Sequence, residues 1–118
     1  MKKNFRNAAI YTSLNFKKVQ KIASQIYEVL DNLDVSVHLT ESLESLSKKK
    51  SLSDKSIVKK SDLLISIGGD GSLLSSARRY GFSGLPLLGI NLGNLGFLTD
   101  ILPEDLTSSL IEVIKGKY

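Results

Sequence analysis

Apolar positions along the chain fall into short compact runs that alternate with segments of helical period. Residues 8–11 (AAIY) are apolar and are followed by turn-forming residues, which predicts a first strand. From 17 to 33 the apolar positions Val19, Ile22, Ala23, Ile26, Leu30 and Leu33 recur at intervals of three and four, the period of one helix face. Asn15 is a candidate cap for that helix. Residues 35–39 (VSVHL), 63–67 (LLISI) and 85–90 (LPLLGI) predict three further strands; Pro86 stands near the start of the last, where proline is tolerated. Between the last two strands, Leu73, Leu74, Ala77 and Tyr80 space as one face of a helix beginning near Ser72, which Gly81 and Gly84 end. Pro103 opens a final helix with Leu106, Leu110, Ile111, Val113 and Ile114 on its apolar side and Gly116 as its stop. The serine- and lysine-rich segment 41–60 has weak periodicity and predicts at most a short helix in a mobile connection.

Strands alternating with helices imply an α/β domain: three layers, α/β/α, around a mostly parallel sheet, with 1–118 as a single domain. In such sheets ligands bind beyond the carboxyl ends of the strands. The glycine-rich segments 68–72 and 91–97 both follow predicted strands, so they are expected side by side on one rim.

Composition narrows the function classes. A chain of 118 residues suits one domain and buries a core without disulfides. It has no cysteine, which excludes a structural disulfide, a thiol nucleophile and a Cys-rich zinc site. No run approaches the roughly 18 apolar residues of a membrane span. A cytoplasmic location is therefore expected, with no membrane partner. The net charge of +4 fits an anionic ligand such as a nucleotide and does not argue for nucleic acid. Much of the excess lies in KKK at 48–50 and KK at 59–60, which read as solvated faces.

The candidate chemistry lies in SIGGDGSLLSSARR, residues 66–79. Glycine permits positive φ and close approach to the backbone. The first N–H groups of the following helix favour an anion. Gly68, Gly69, Gly71 and Ser72 thus form a candidate phosphate cradle. Asp70 does not suit a passive cradle, because a carboxylate repels phosphate. It would either hold a Mg²⁺ that carries the phosphates or accept a proton from a hydroxyl attacking phosphorus. Asp is also an ordinary helix N-cap, and GG and DG are ordinary turn pairs. The stretch is no P-loop, since GxxxxGK(S/T) is absent, and Leu74 stands where a dinucleotide fingerprint needs its third glycine.

A second motif narrows the choice. With Gly68-Gly69-Asp70-Gly71 and Asn91-Leu92-Gly93-Asn94-Leu95-Gly96-Phe97-Leu98, the sequence resembles the N-terminal half of the NAD kinase family, most closely across 62–118. The GGDG box is shared with lipid kinases and phosphofructokinases; the NLGFL loop singles out NAD kinases. The resemblance implies the fold of the N-terminal domain of NAD kinases and phosphofructokinase-like kinases. It implies transfer of a phosphoryl group from ATP, or polyphosphate, to the 2′-hydroxyl of the adenosine ribose of NAD, giving NADP. Asp70 would be the catalytic base and a substrate-binding residue. Gly71 would lend its backbone to the dinucleotide. Phe97 would pack near the adenine, or else anchor its loop in the core. Gly93 and Gly96 would shape the loop.

Family members are more than twice as long and carry a β-rich second domain with an Asn-Asp or Asn-Glu pair that grips the ribose. This chain has neither dipeptide and is expected to be the first domain alone, with little or no activity by itself. Ser72 stands where many members have threonine. The partners implied are NAD and ATP or polyphosphate, with a divalent cation such as Mg²⁺ accompanying ATP and no metal site of the chain's own. The full-length protein is expected to be a homo-oligomer. A non-catalytic nucleotide-binding module, or a lipid or sugar kinase-like domain with the same GGDG, remain the alternatives. His38 lacks metal-binding partners and reads as structural. Arg78 and Arg79 would face either the phosphates or solvent. Asp100 and Glu104 would open the final helix, where negative charge suits the dipole.

Overall fold

Alternation along the strands decides the layers. The computed structural model describes residues 5–14, 17–40, 43, 51–92 and 101–116. The elements run β1 (Asn7–Thr12), α1 (Lys17–Asn32), β2 (Ser36–Leu39), α2 (Asp54–Lys60), β3 (Leu63–Gly68), α3 (Asp70–Tyr80), β4 (Leu87–Asn91) and α4 (Leu106–Ile114). In β1, Ala8 and Ile10 point to one face and Ala9 and Tyr11 to the other; β3 divides likewise, with Ile65 and Ile67 against Leu64. The first face packs against α1 through Val19 and Ile26 and against α4 through Leu110 and Ile114. The second packs against Ile57 of α2 and Tyr80 of α3. The result is the expected three-layer α/β/α arrangement.

The sheet order is β2-β1-β3-β4, and every pair is parallel. Parallel neighbours need crossover connections, which α1, α2 and α3 lie on. The chain leaves β1 toward β2 on one side and returns to build β3 and β4 on the other. The direction therefore reverses between β1 and β3, and the crevice beyond their carboxyl ends is where such sheets take ligands.

Several boundaries differ from the sequence expectation. The fourth strand starts at Leu87, after Pro86 rather than through it. Proline has no N–H to donate, and its carbonyl instead accepts from the Leu64 N–H at 2.9 Å. Within 41–60 a helix does form, α2, capped by the Ser53 side chain, which accepts from the Ser56 N–H at 3.3 Å. It buries Ile57 alone, too little for a periodic signal. Helix α3 starts at Asp70, two residues before Ser72. Gly81 does not stop it sharply: a 3₁₀ turn, Gly81–Ser83, follows, and Gly84 at φ +76° ends the run. A 3₁₀ turn, Pro103–Asp105, precedes α4, and Gly116 at φ +80° closes it. Asn15, the candidate cap, lies outside the described residues. Among those described, no helix is long and apolar enough to cross a membrane.

Candidate active site

The turn from β3 into α3 is built around Gly68. Its φ is +148°, and a Cβ there would overlap Ser72 Oγ and lie 2.8 Å from Ser72 Cβ and 3.3 Å from Leu14 Cδ1. Only glycine lets the first turn of α3 fold back this closely on the strand end. Ser72 is buried, and its hydroxyl shares a 2.7 Å hydrogen bond with that of Ser13, just past β1. Thr12 Oγ1 donates to the Ile67 carbonyl at 2.9 Å and accepts from the Leu14 N–H at 3.1 Å. These bonds stitch the ends of β1 and β3 together at the point where the sheet reverses direction.

Gly69 has extended backbone and occupies the cap position of α3. Asp70 is thus the first helical residue, not the cap, and its charge sits at the positive end of the helix dipole. The Leu73 N–H bonds the Gly69 carbonyl at 3.1 Å. The N–H groups of Asp70, Gly71 and Ser72 precede that first helical bond, where an α-helix supplies no carbonyl of its own. Around Gly69 and Gly71 the surroundings differ sharply from those of Gly68: a Cβ at either would meet no atom of the described residues within 4 Å. Asp70 is partly exposed and Gly71 exposed. The carboxylate therefore stands between two positions beside open space, at a strand-end rim.

The second glycine-rich segment begins on the same rim. Gly68 pairs with Asn91 across β3 and β4, and the Leu92 N–H donates to the Gly68 carbonyl at 2.9 Å. Lys18 of α1 reaches over the rim, its ammonium donating to the Leu92 carbonyl at 2.6 Å. The structure thus brings 68–72 and 91–92 together. Phe97, with Gly93, Gly96 and Asp100, lies outside the described residues.

Next to this rim, a cleft of about 660 Å³ opens between Tyr11, Thr12 and Ser13 of the β1 end, Thr40 after β2, and Leu52 to Asp54 at the start of α2; Arg79 of α3 closes it. Arg79 is solvent-exposed, one of the two orientations the sequence allowed, with its side chain 48% accessible, and it is also held by a partner. Its guanidinium forks onto the Asp54 carboxylate, with Nε and Nη2 3.1 and 3.0 Å from Oδ2. It lies 5.5 Å from the centre of the Tyr11 ring and 5.8 Å from that of Tyr80. The Tyr80 hydroxyl donates to Asp54 Oδ1 at 2.7 Å. Burial, followed by that hydrogen bond, pushes the Tyr80 phenol above its ordinary range. Arg78 is exposed. His38 places Nε2 3.2 Å from Asn7 Oδ1, a cross-strand structural contact. Glu104 lies in the 3₁₀ turn ahead of α4. Among the described residues no group of three or more His, Asp or Glu side chains is placed to hold a metal.

Sequence reasoning missed Ser13, Lys18 and Asp54. Ser13 had a usable signal, a hydroxyl immediately after a predicted strand; Lys18 and Asp54 had none, being one lysine and one aspartate among many.

Comparison with known proteins agrees with this geometry. A family described as the ATP-NAD kinase N-terminal domain matches residues 7–118. A protein named NAD kinase from Marinobacter nauticus is 38% identical over 117 residues, covering 97% of this chain and 40% of the relative. One of the same name from Legionella pneumophila is 36% identical over 123 residues, covering 100% and 41%. The chain thus spans about two fifths of the length of these relatives. A crystal structure of yeast NADH kinase complexed with NADH superposes with a TM-score of 0.80 at 21% identity, covering 95% of this chain and 38% of that one, which is a likeness of fold.

Proposed function

Because the chain belongs to the ATP-NAD kinase family, matching its N-terminal domain, we propose that it forms the aspartate-bearing wall of an NAD kinase site. The observation that carries this reading is the space on either side of Asp70, at Gly69 and Gly71, left open by the described residues on a rim where sheets of this kind take ligands. A bare structural turn has no need of glycine at those two positions.

In the proposed reaction the 2′-hydroxyl oxygen of the adenosine ribose of NAD attacks the terminal phosphorus of ATP or polyphosphate. The new P–O bond forms as the bridging P–O bond breaks. The hydroxyl proton passes to the Asp70 carboxylate, and the shortened donor departs with the bridging oxygen's electrons. Proton acceptance at that moment is typically worth about 10²–10⁴-fold; the rest is positioning and charge stabilisation. The first-turn N–H groups of Asp70, Gly71 and Ser72, with Gly68 and Gly69 holding the turn, suit phosphate oxygens. Phe97 is assigned to the adenine on the family resemblance. A divalent cation, when bound, arrives with the donor's phosphates and offsets their charge.

The chain is read as one α/β domain facing a β-rich partner domain, in a cytoplasmic, homo-oligomeric protein. Positioning comes from both walls of a cleft, so this polypeptide alone should give little NADP. Turnover comparable to that of a complete enzyme in an NADP-forming assay would refute that half-site reading. In a polypeptide joining this domain to its β-rich partner, Asp70→Asn should lower turnover by about 10²–10⁴-fold while NAD affinity barely moves. Undiminished turnover would remove Asp70 from the chemistry.

A further inference from the structure

Lys18 stands where its own helix is worst served by a cation. It is the second residue of α1, which has no acidic side chain in its first turn and no basic one in its last. A positive charge at a helix N-terminus opposes the helix dipole. The side chain instead serves a distant strand end: its ammonium donates to the Leu92 carbonyl at 2.6 Å, across 74 positions of sequence. Fixing a lysine gives up much rotamer freedom. A short hydrogen bond from an ionised donor is strong enough to hold it.

The register of β3 and β4 shows why that carbonyl matters. In a parallel ladder the bonds are evenly spaced, and every second residue of one strand bonds its neighbour through both N–H and C=O. Gly68 faces Asn91, and its carbonyl accepts from the Leu92 N–H at 2.9 Å. The next residue in that series is Asp70, whose N–H would go to the Leu92 carbonyl. The ladder ends before that bond, at the Gly68–Asn91 pair. Asp70 is instead the first residue of α3, after Gly69 in extended conformation. Leu92 is buried, so its carbonyl would be costly to leave without a hydrogen-bond donor. Lys18 fills the place that the Asp70 main chain would hold if the sheet ran on.

We infer that Lys18 is a positioning residue for the proposed kinase reaction: it ends the β3–β4 ladder at Leu92 and thereby seats Asp70 at the start of α3. The inference rests on the proposed reading, in which the Asp70 carboxylate receives the proton. Lys18 acts through Leu92 and Asp70 and touches no reacting atom in this role. Without its ammonium the Leu92 carbonyl draws the Asp70 N–H toward the sheet, and the carboxylate moves with its main chain.

Three variants test this. Lys18→Met keeps a long side chain and removes the ammonium. Lys18→Arg keeps a cationic hydrogen-bond donor. Lys17→Met removes the same charge from the same helix end. In NMR spectra of the ¹⁵N-labelled chain, Lys18→Met should shift the amide resonances of Leu92 and Asp70, and Lys17→Met should leave both in place. In the polypeptide joined to the β-rich domain, Lys18→Met should lower kcat for NADP formation by about 10–100-fold, as small misplacements of a catalytic group do. KM for NAD and for the phosphoryl donor should stay within about twofold, since the loss falls on the transition state. Lys18→Arg should recover most of the rate. A lysine that only braces the fold would move the urea midpoint and leave kcat alone. An unshifted Asp70 resonance, an unchanged kcat, an equal loss in Lys17→Met or no recovery with arginine would each overturn the inference. A joined wild-type polypeptide that makes no NADP would refute the kinase reading and the positioning role with it, whereas an active wild type indifferent to Lys18→Met removes Lys18 alone.

Discussion

Replacing Gly68 by alanine tests whether the β3–α3 turn is as tight as its geometry implies. Two costs add. The backbone at φ +148° is one that side-chain-bearing residues rarely adopt, and such conformations cost of order 1–3 kcal/mol. The new Cβ would also overlap Ser72 Oγ and stand 2.8 Å from Ser72 Cβ. Ser72 cannot swing away freely, because it is buried and bonded to Ser13. Forcing a methyl into such a place costs typically about 1–3 kcal/mol. The sum, about 2–6 kcal/mol, is a large part of the roughly 5–15 kcal/mol that holds a domain folded. At about 4 °C per kcal/mol for a domain of this size, it corresponds to a fall in melting temperature of roughly 8–24 °C.

The two costs separate in a double-mutant cycle read by urea denaturation. Ser72→Gly removes the overlapped atoms while leaving the φ of residue 68 unchanged. Alone it should cost the Ser13 hydrogen bond, about 0.5–1.5 kcal/mol, plus about 0.5–1 kcal/mol for glycine in a helix. In that background Gly68→Ala should cost about 1–3 kcal/mol less than in the wild type, and this difference measures the overlap. Gly69→Ala, with no atom within 4 Å of the new methyl, is the control. A Gly68→Ala chain within about 0.5 kcal/mol of wild type, or a cycle with no coupling, would refute the reasoning, since substitutions without a structural conflict fall in that range.

Gly71→Ala should behave oppositely: in the first turn of α3 with open space around it, alanine should raise stability by up to about 1 kcal/mol while weakening NAD binding in a titration; full NAD binding would show that the space is unused. Ser66 Oγ is buried with no hydrogen-bond partner among the described residues, so Ser66→Ala should raise the urea midpoint by about 1 kcal/mol of stability, and a loss of that size would reveal a hidden partner. Tyr80 has its phenol pushed up by burial and by Asp54. The neutral form is the one the fold favours, so its contribution is fully present below about pH 10, the ordinary phenol value, and is lost as pH rises beyond it. Tyr80→Phe should flatten that alkaline loss and remove one late-titrating phenol from an ultraviolet titration; an unchanged alkaline limb would exclude Tyr80 as its source.

The layers were legible because the sheet is buried on both faces. Strands such as LLISI then read as unbroken apolar runs, and α1 carries one clean apolar stripe. Helix α2 was not legible, because it docks through Ile57 and a capping serine, and one buried position in seven residues sets up no period. What fixes it further is long-range: the Asp54 carboxylate meets Arg79 and Tyr80, 25 and 26 residues on. No spacing rule links such a pair. The same holds for Ser13 and Ser72, 59 residues apart, and for Lys18 and Leu92. Each is a contact between strand ends or crossovers, and only the strand order brings them within reach.

The GGDG box shows most directly what sequence hides. Its three glycines look equivalent in the one-letter code, yet they answer to different forces. Gly68 is demanded by the fold, through its φ and through Ser72. At Gly69 and Gly71 no described atom crowds the Cβ position, so the described fold does not require their small size. The distinction decides how mutations at the box are to be read. Lost activity in Gly68→Ala says little about ligands, because the turn itself is disturbed. Lost activity in Gly71→Ala, where the fold should gain stability, has to come from the space beside Asp70. A motif shared across kinases of different substrates is then understandable as two requirements laid over one another: a strand-to-helix turn that must be tight, and a carboxylate at its crest that must be approachable.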